Sequence, residues 1–296
     1  MYNEQMMLSL KKVEANRAAN TELQPRRMTA DEKDELLRTY HPDYRVDQFS
    51  ELVIGPNKGE RVPHELAALL QAESRIRGVK LDLENPDYDT DVLIIGGGGA
   101  GASAAIEADK AGARVTVVTK LRMGDANTMM AEGGIQAADK PNDSPAQHYI
   151  DAFGGGHFAA KPELLEKLVC EAPEAIQWLS DLGVEFDKMP DGTMITTHGG
   201  GTSRKRMHAA KDYSGAEIMR TLRDEVLCRN IPVIDFTAAV ELILDENGNA
   251  AGAVLMNMET EELLVARAKT VIIATGGAGR LHYQGFPTSN HYGATA

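Results

Sequence analysis

A run of closely spaced glycines is the part of this sequence whose residue types point most directly to chemistry. Gly96-Gly97-Gly98-Gly99-Ala100-Gly101 fits the pattern G-x-G-x-x-G, and it directly follows the apolar run Asp91–Ile95. In such a turn Gly96 permits a tight bend, Gly98 lets the backbone approach a pyrophosphate, and Gly101 allows a helix to pack closely on a strand. We therefore predict a dinucleotide site at the start of the next helix, with a purely structural glycine turn as the alternative.

The end of the next apolar run bears on which dinucleotide is bound. That run, Val115–Val118, is followed by Thr119 and Lys120. A nicotinamide dinucleotide site usually has an acidic residue here to hold the ribose 2′-hydroxyl. Thr119 can donate and accept a hydrogen bond but carries no charge. A standard nicotinamide site is therefore disfavoured, and flavin adenine dinucleotide (FAD) remains open.

The elements that must position the glycine turn alternate between buried strands and helices. The turn is followed by a helical stretch at Ala102–Ala111, and later apolar runs at Pro232–Asp235 and Thr270–Ala274 predict further buried strands. Glu241–Leu244 and Ala251–Met256 flank a short polar turn, which is typical of an antiparallel hairpin. The sequence predicts an α/β, Rossmann-like fold with a parallel sheet, an inserted antiparallel hairpin and an N-terminal helical extension.

Composition changes near residue 90, which predicts a helical extension at 1–89 and a dinucleotide-binding domain at 90–296. In the extension, Thr29 and Glu32 form a capping box for a helix that ends at His41-Pro42. A second helix is expected to start at Pro63, with Gly78 as its stop. No chemistry is evident in this extension, so we expect it to pack on the body or on a partner subunit. The alternative is a specific docking arm.

Charge and composition exclude several classes of partner. The chain has 296 residues, with 31 Lys plus Arg against 44 Asp plus Glu, and a net charge of −13. Such an acidic protein repels nucleic-acid phosphates and anionic lipids. No run reaches the roughly 18 apolar residues of a membrane span, and the first twenty residues are too charged for a secretory signal. A reducing cytoplasm fits best.

Metal and nucleophile chemistry have little support. The two cysteines form no Cys-x-x-Cys pair, so iron–sulfur, zinc and disulfide-reductase chemistry are disfavoured. No metal is expected at the histidines, which lack ligand spacing. Among the eight histidines of the chain, this applies to His148, His157, His198, His208, His282 and His291.

In their order along the chain, these segments resemble the flavoprotein subunits of succinate dehydrogenase and fumarate reductase, together with L-aspartate oxidase. The resemblance runs from about Asp91 to Ala296. It rests on five blocks: Gly96–Gly101, Thr119-Lys120, Asn127-Thr128 through Gly134, His208–Gly215 and Ala274–Arg280. It implies an FAD-dependent oxidoreductase that passes hydride between flavin N5 and a dicarboxylate. The alternatives are an L-aspartate oxidase-like enzyme and a non-catalytic FAD-binding scaffold.

The resemblance also implies which residues contact FAD. The pyrophosphate is expected to contact Gly96, Gly98, Gly99, Ala100 and Gly101, and the adenosine ribose to contact Thr119 and Lys120. The isoalloxazine is expected to contact Asn127, Thr128, Gly133, Gly134 and Asp212, and the adenine to contact Ala238, Ala239 and Val240. Thr275 and Gly276 of the last block are further expected contacts. The basic, glycine-rich segment His198–Arg206 lacks a preceding apolar strand, so a mobile loop near the flavin is expected rather than a phosphate loop.

The sequence departs from the family pattern at two places, and these change what we expect of flavin attachment and of catalysis. Respiratory members carry a covalently flavinylated histidine where this chain has Asn127, so we expect non-covalent FAD with a lowered potential. Family members also continue past Thr288–Gly293 into a capping domain that supplies the proton donor and the carboxylate-binding residues. We therefore expect the chain to be an N-terminal part with no catalytic residue of its own. The implied partners are a small dicarboxylate and an iron–sulfur electron-transfer subunit, with membrane association through partner subunits.

Overall fold

The computed structural model describes residues 3–23, 26–41, 45–74 and 76–277. Two compact units are present, Met1–Glu73 and Ser74–Ala296, and each is described by itself. The division into functional domains at residues 89 and 90 stays a prediction. None of the helices in the described ranges is long and apolar enough to cross a membrane.

The first unit consists of short helices and a two-stranded sheet. Its elements are α1 (Glu4–Glu22), α2 (Ala30–Tyr40), a 3-10 turn (Val46–Gln48), β1 (Phe49–Glu51), β2 (Arg61–Pro63) and α3 (His64–Leu70). β1 and β2 pair in antiparallel fashion.

The helix boundaries of this unit agree only partly with the predictions. The capping box of α2 is confirmed, because Thr29 Oγ1 accepts from the Glu32 N–H at 3.2 Å and the Glu32 carboxylate accepts from the Thr29 N–H at 2.8 Å. α3 ends eight residues before Gly78, since Ala72 has a φ of +52° that no helix can continue through. The sequence patterns also failed to predict α1. Pro42 lies outside the described residues.

The second unit alternates strands and helices. Its elements are β3 (Tyr88–Ile95), α4 (Gly99–Lys110), β4 (Val115–Val118), β5 (Ile135–Gln136), α5 (Pro145–Gly155), α6 (Pro162–Asp181), β6 (Thr196–Thr197), β7 (Met207–His208), α7 (Ser214–Cys228), β8 (Val233–Ile234), β9 (Thr237–Leu244), β10 (Ala250–Asn257) and β11 (Leu263–Ile273).

The main sheet has the order β8-β4-β3-β11-β10-β9. β3 pairs in parallel with β4 and with β11, and β4 pairs in parallel with β8. β9, β10 and β11 pair in antiparallel fashion, so the predicted hairpin continues the same sheet. The predicted α/β fold with a parallel sheet and an inserted hairpin is confirmed. α4 starts three residues earlier than predicted, inside the glycine run itself.

The apolar run of β3 is buried on both faces of the sheet. Ile94 belongs to the core beneath α4 and α7, whereas its neighbour Leu93 packs on the opposite face with the hairpin residues Ala253 and Leu255. Successive side chains of a strand alternate between faces, so a strand covered on both sides has to be apolar throughout. This explains why the run shows no polar alternation.

A small antiparallel sheet, β5-β7-β6, holds the irregular segment that follows β4. Ile135 of β5 pairs with His208 of β7. The same segment is tied to the start of α7, because the Gly215 N–H donates to the Ala131 carbonyl at 2.7 Å. A Cβ at Gly215 would lie 1.9 Å from the Thr128 carbonyl oxygen. Only glycine allows this contact between α7 and the segment.

The close approach at Gly215 gives a stability prediction. Gly215→Ala should destabilise the fold by about 2 kcal/mol, because the added methyl group overpacks a rigid backbone contact. Gly154→Ala is the control: no heavy atom lies within 4 Å of a Cβ at that position in α5, and alanine there should be neutral or stabilising by up to about 1 kcal/mol. Urea unfolding followed by circular dichroism measures both. Equal stabilities for the two variants would contradict the packing argument.

Candidate functional site

A cavity of about 510 Å³ opens at the carboxyl ends of the parallel strands. Ile95 ends β3, Val118 ends β4 and Ile273 ends β11, and all three line it. The first residues of β9 complete the wall. In open α/β sheets, ligands bind in the crevice beyond these strand ends. We call this space the first cavity.

Most of the residues singled out in the sequence line the first cavity. Those in its wall are Gly96, Gly98, Gly99, Ala100, Thr119, Lys120, Asn127, Thr128, Ala238, Ala239, Thr275 and Gly276. Those outside its wall are Gly101, Gly133, Gly134, Asp212 and Val240. The structure therefore brings together residues from five separate parts of the sequence.

Sequence reasoning missed several wall residues. These are Gly97, Leu121, Asp125, Ala126, Thr237 and Ala274. Most of them adjoin a predicted residue, so proximity to a strand end was the available signal. Asp125 carries no motif, and its carboxylate accepts a hydrogen bond from Arg122 at 2.8 Å.

The glycines of the turn divide into two groups by what a side chain would meet. A Cβ at Gly101 would lie 1.8 Å from the Gly96 carbonyl oxygen, and one at Gly96, where φ is +124°, would lie 2.3 Å from the Ala274 carbonyl oxygen. At these two positions a side chain would collide with backbone atoms of the protein, so glycine is needed for the fold itself. A Cβ at Gly98 would lie 3.1 Å from the Ala126 Cβ, in the cavity wall. Gly98 thus keeps the cavity clear for a ligand.

The polar groups of the first cavity fit a dinucleotide. The helix α4 begins at the cavity, and such a start attracts phosphate through its N–H groups and its dipole. Thr128 Oγ1 accepts from the Gly99 N–H at 3.1 Å. Burial lowers the pKa of Lys120, the lysine of the wall. The Thr275 hydroxyl is buried and has no hydrogen-bond partner among the described residues, so a ligand group is its expected partner.

The remaining predicted residues lie elsewhere. Gly134 has a φ of +116°, and a Cβ there would lie 2.3 Å from the His208 carbonyl oxygen, so the approach of β7 explains this glycine. Asp212 is exposed at the turn before α7, and Val240 lies within β9. The end of the last block, Ala278–Arg280, lies outside the described residues, as do His282 and the segment Thr288–Gly293.

A second cavity, of about 740 Å³, lies between β5, α5, α6 and the loop at Gly200–Thr202. Its wall contains Gly134, His148, Asp151 and Glu171, and no lysine or arginine among the described lining residues. Burial lowers the pKa of His148, so the ring is neutral at neutral pH. The described wall therefore carries negative charge and lacks the cations that a dicarboxylate needs. No group of three or more potential metal ligands occurs in the described ranges.

A fully buried arginine connects the wall of the second cavity to β7. Arg206 forms a two-pronged pair with Asp143, at 2.7 and 2.9 Å, and donates to Asp151 at 2.6 Å. Asp151 also accepts from the Ser203 N–H at 2.9 Å. This network joins α5 to the glycine-rich loop. In the sequence Arg206 was only the end of a basic segment, and no local pattern marks its burial.

The network sets the ionisation of both carboxyl groups. The hydrogen bonds from Arg206 lower the pKa of Asp143. Burial pushes the pKa of Asp151 upward, but the hydrogen bonds from Arg206 and Ser203 outweigh it and bring this pKa below its usual range. Both groups therefore stay ionised in the folded protein at neutral pH.

Removing one carboxylate of this network should lower the stability of the fold, because it leaves a buried charge without its partner. Asp143→Asn should lower the free energy of unfolding by about 3 kcal/mol, since it breaks a buried ion pair. Glu171→Gln is the control: it removes the exposed pair with Lys167 in α6, and such pairs contribute about 0.5 kcal/mol or less. Urea unfolding at neutral pH measures both. A loss below that of the control would contradict the role of the network.

The lowered pKa values also predict the direction of the pH dependence. Asp carboxyls in an unfolded chain titrate near about pH 4. A group whose pKa is lowered by folding contributes stability above that value and loses it as the pH falls toward its folded pKa. The wild type should therefore lose stability below about pH 4, and Asp143→Asn should lose less over the same range. Urea unfolding across acidic pH checks this, and parallel curves for both proteins would contradict it.

Comparison with known proteins agrees with this geometry. The family of FAD binding domains matches residues 91–296. The L-aspartate oxidase of Streptomyces coelicolor is 34% identical over 210 residues, which are 69% of this chain and 36% of that protein. A chain of the fumarate reductase (CoM/CoB) of Methanothermobacter marburgensis is 37% identical over 204 residues, 68% of this chain and 37% of that protein.

Solved structures give the same relationship. The Mycobacterium smegmatis Sdh1 complex in the apo form contains a chain with a TM-score of 0.66 and 34% identity, covering 70% of this chain and 38% of that one. An E. coli quinol fumarate reductase chain has a TM-score of 0.63 and 31% identity, covering 66% of this chain and 34% of that one. The chain spans little more than a third of the length of these relatives.

The matched family begins at Asp91, the first residue of the apolar run before the glycine turn, and it includes the whole first cavity. The resemblance noted in the sequence is therefore confirmed. This chain belongs to the family of FAD-binding flavoproteins that includes fumarate reductase, succinate dehydrogenase and L-aspartate oxidase, and its cofactor is FAD.

Proposed function

We propose that the first cavity holds the FAD, and that the complete protein uses it to transfer hydride to or from a dicarboxylate of the succinate or fumarate type. The observation that carries this proposal is the glycine-walled cavity at the strand ends, where α4 starts and the buried Thr275 hydroxyl has no partner among the described residues. Bound FAD supplies a two-electron hydride acceptor and donor, which no side chain provides.

The residues of the first cavity have complementary tasks in binding. The start of α4 at Gly98 and Gly99 binds the pyrophosphate, because its N–H groups and dipole attract anions. Thr119 and Lys120 follow β4 and hold the adenosine ribose, and the lysine charge also balances the phosphates. Ala238, with Ala239 beside it, offers a wall without bulky side chains to the adenine. These assignments are supported by the shared cavity.

The flavin ring is assigned to the segment that follows β4. Asn127 and Thr128 lie in the wall of the first cavity, and the segment then runs to Gly134 in the wall of the second. We place the isoalloxazine along this segment, beside Gly133 and Gly134, with Asp212 and Val240 as further contacts. The resemblance supports this placement, and so does the continuity of the segment between the two cavities.

Substrate binding needs groups other than those of the second cavity. A dicarboxylate carries two negative charges, and burying them requires positive partners. The described wall of the second cavity offers Asp151 and Glu171 instead. We therefore place the carboxylate-binding arginine and the proton donor in a part of the protein outside the described residues.

An L-aspartate oxidase activity is the second candidate. Aspartate carries an ammonium group that succinate lacks, and Glu171 in the wall of the second cavity, whose pair with Lys167 is exposed, offers it a carboxylate. The similarity to the Streptomyces coelicolor enzyme adds support.

We also propose two kinds of partner for the complete protein: an iron–sulfur electron-transfer subunit, and further subunits through which it associates with the membrane. The similar chains of the Mycobacterium smegmatis Sdh1 complex and of E. coli quinol fumarate reductase support this.

The activity test uses the protein purified from its native cells with the subunits that accompany it. Fumarate-dependent oxidation of a reduced viologen dye is the expected result. Aspartate-dependent formation of hydrogen peroxide, without fumarate reduction, would replace the first candidate by the second. An FAD-loaded protein that does neither would indicate a scaffold role.

Gly98 provides the sharpest test of the cofactor site. Gly98→Val should abolish FAD binding while the protein stays folded, because its branched side chain fills the space beside Ala126 that the pyrophosphate requires. Gly154→Val is the matched control on an exposed helical position. Flavin absorbance per polypeptide after desalting measures both. Full FAD content in a folded Gly98→Val variant would show that the site is misplaced.

Asn127 determines the attachment of the flavin. An amide cannot form the bond to the flavin ring methyl that a histidine forms, so acid precipitation of the FAD-loaded protein should release all of its flavin. Fluorescence of the washed precipitate under ultraviolet light measures what remains. Flavin fluorescence on the denatured polypeptide would contradict non-covalent binding.

A further inference from the structure

Behind the segment Gly133–Gln136 lies a buried polar pair that the proposed function leaves unused. His208 of β7 is fully buried, and its carbonyl oxygen is the group that approaches Gly134. Its Nδ1 lies 3.1 Å from the carbonyl oxygen of Arg206. Its Nε2 lies 3.1 Å from Oδ2 of Asp139. Both ring nitrogens therefore face oxygen acceptors.

These two partners decide which nitrogens carry hydrogen. A backbone carbonyl only accepts hydrogen bonds, so Nδ1 must be an N–H donor. The Asp139 carboxylate accepts as well, and the same Oδ2 also accepts from the Lys140 ammonium at 3.0 Å. Nε2 must then also be an N–H donor. A ring that donates from both nitrogens is an imidazolium cation.

The two charges of this pair are screened differently. The His208 ring has no exposed surface and packs edge-on against Phe186, with ring centroids 6.2 Å apart. The Asp139 side chain is 22% exposed, and Lys140 lies against it. Water and the ammonium group screen the carboxylate, whereas the ring is enclosed by protein. The positive charge therefore dominates on the interior side of the pair.

The other nearby charges do not cancel it. The guanidinium of Arg206 is directed at Asp143 and Asp151, and that group carries one positive and two negative charges. Its carboxylates are occupied by the arginine and, for Asp151, by Ser203. The imidazolium thus keeps its own separate counter-ion in Asp139.

We propose that His208, held as a cation by Asp139, is a positioning residue that places positive charge behind Gly133 and Gly134 and makes the bound flavin easier to reduce. The proposal rests on the proposed function, because it needs the isoalloxazine beside these glycines. Two-electron reduction leaves negative charge on the flavin, which a nearby cation stabilises relative to the oxidised form. The cation offsets the lowered potential that accompanies a flavin without a covalent link at Asn127.

The first experiment observes the ring itself. NMR of the imidazole nitrogens in the full FAD-loaded chain at neutral pH should show both nitrogens of His208 protonated. Asp139→Asn is the matched variant, because its amide can donate to a bare Nε2 and keep the hydrogen bond while the ring becomes neutral. Asp181→Asn, at the exposed end of α6, is the control. One bare ring nitrogen in the wild type would overturn the proposal.

The second experiment measures the consequence for the flavin. Dissociation constants of oxidised and of reduced FAD are compared in the wild type and the two variants. Asp139→Asn should weaken reduced FAD relative to oxidised FAD by about tenfold, the scale of a one-unit electrostatic coupling, and Asp181→Asn should leave the ratio unchanged. An unchanged ratio in Asp139→Asn with a neutral ring overturns this inference alone. Failure of the wild type to bind FAD overturns the proposed function as well.

Discussion

The arrangement of the first cavity depends on one backbone contact, that of Gly101 with the carbonyl oxygen of Gly96. Because no Cβ separates them, α4 starts directly at the end of β3 and its N-terminal N–H groups reach the strand ends. The Gly96 turn also leaves room for the Ala274 carbonyl of the strand end beside it. A side chain at either glycine would separate the helix from the sheet, and the cavity would lose its phosphate-binding end.

The strand β11 connects this site to the rest of the sheet. Its residue Ala266 pairs with Ala253 of the hairpin on one side and with Tyr88 of β3 on the other. From there to Ile273 it runs parallel to β3, so its carboxyl end arrives at the glycine turn. One continuous strand thereby carries the hairpin and also presents Ala274 and Thr275 to the cavity. This is why the inserted hairpin does not disturb the site.

The two cavities differ in charge, and the buried Arg206 network supports the difference. The first cavity combines the start of a helix with Lys120, which suits phosphates. The second has carboxylates in its described wall, and Asp151 there is held ionised by Arg206. The chain has a net charge of −13, yet the fully buried Arg206 and His208 lie only two residues apart. The positive charge of Arg206 is therefore buried directly before β7, the strand that approaches Gly134.

The sequence alone determined the α/β class, the glycine turn between a strand and a helix, and most of the first cavity, because glycine turns and strand ends are local patterns. It could not show that Asp235 accepts a hydrogen bond from the Met123 N–H, a contact that spans 112 positions. Nor could it show that Gly134 serves the approach of His208, or that Arg206 is buried. Those features depend on which distant segments meet, and only the packing of the folded chain decides that.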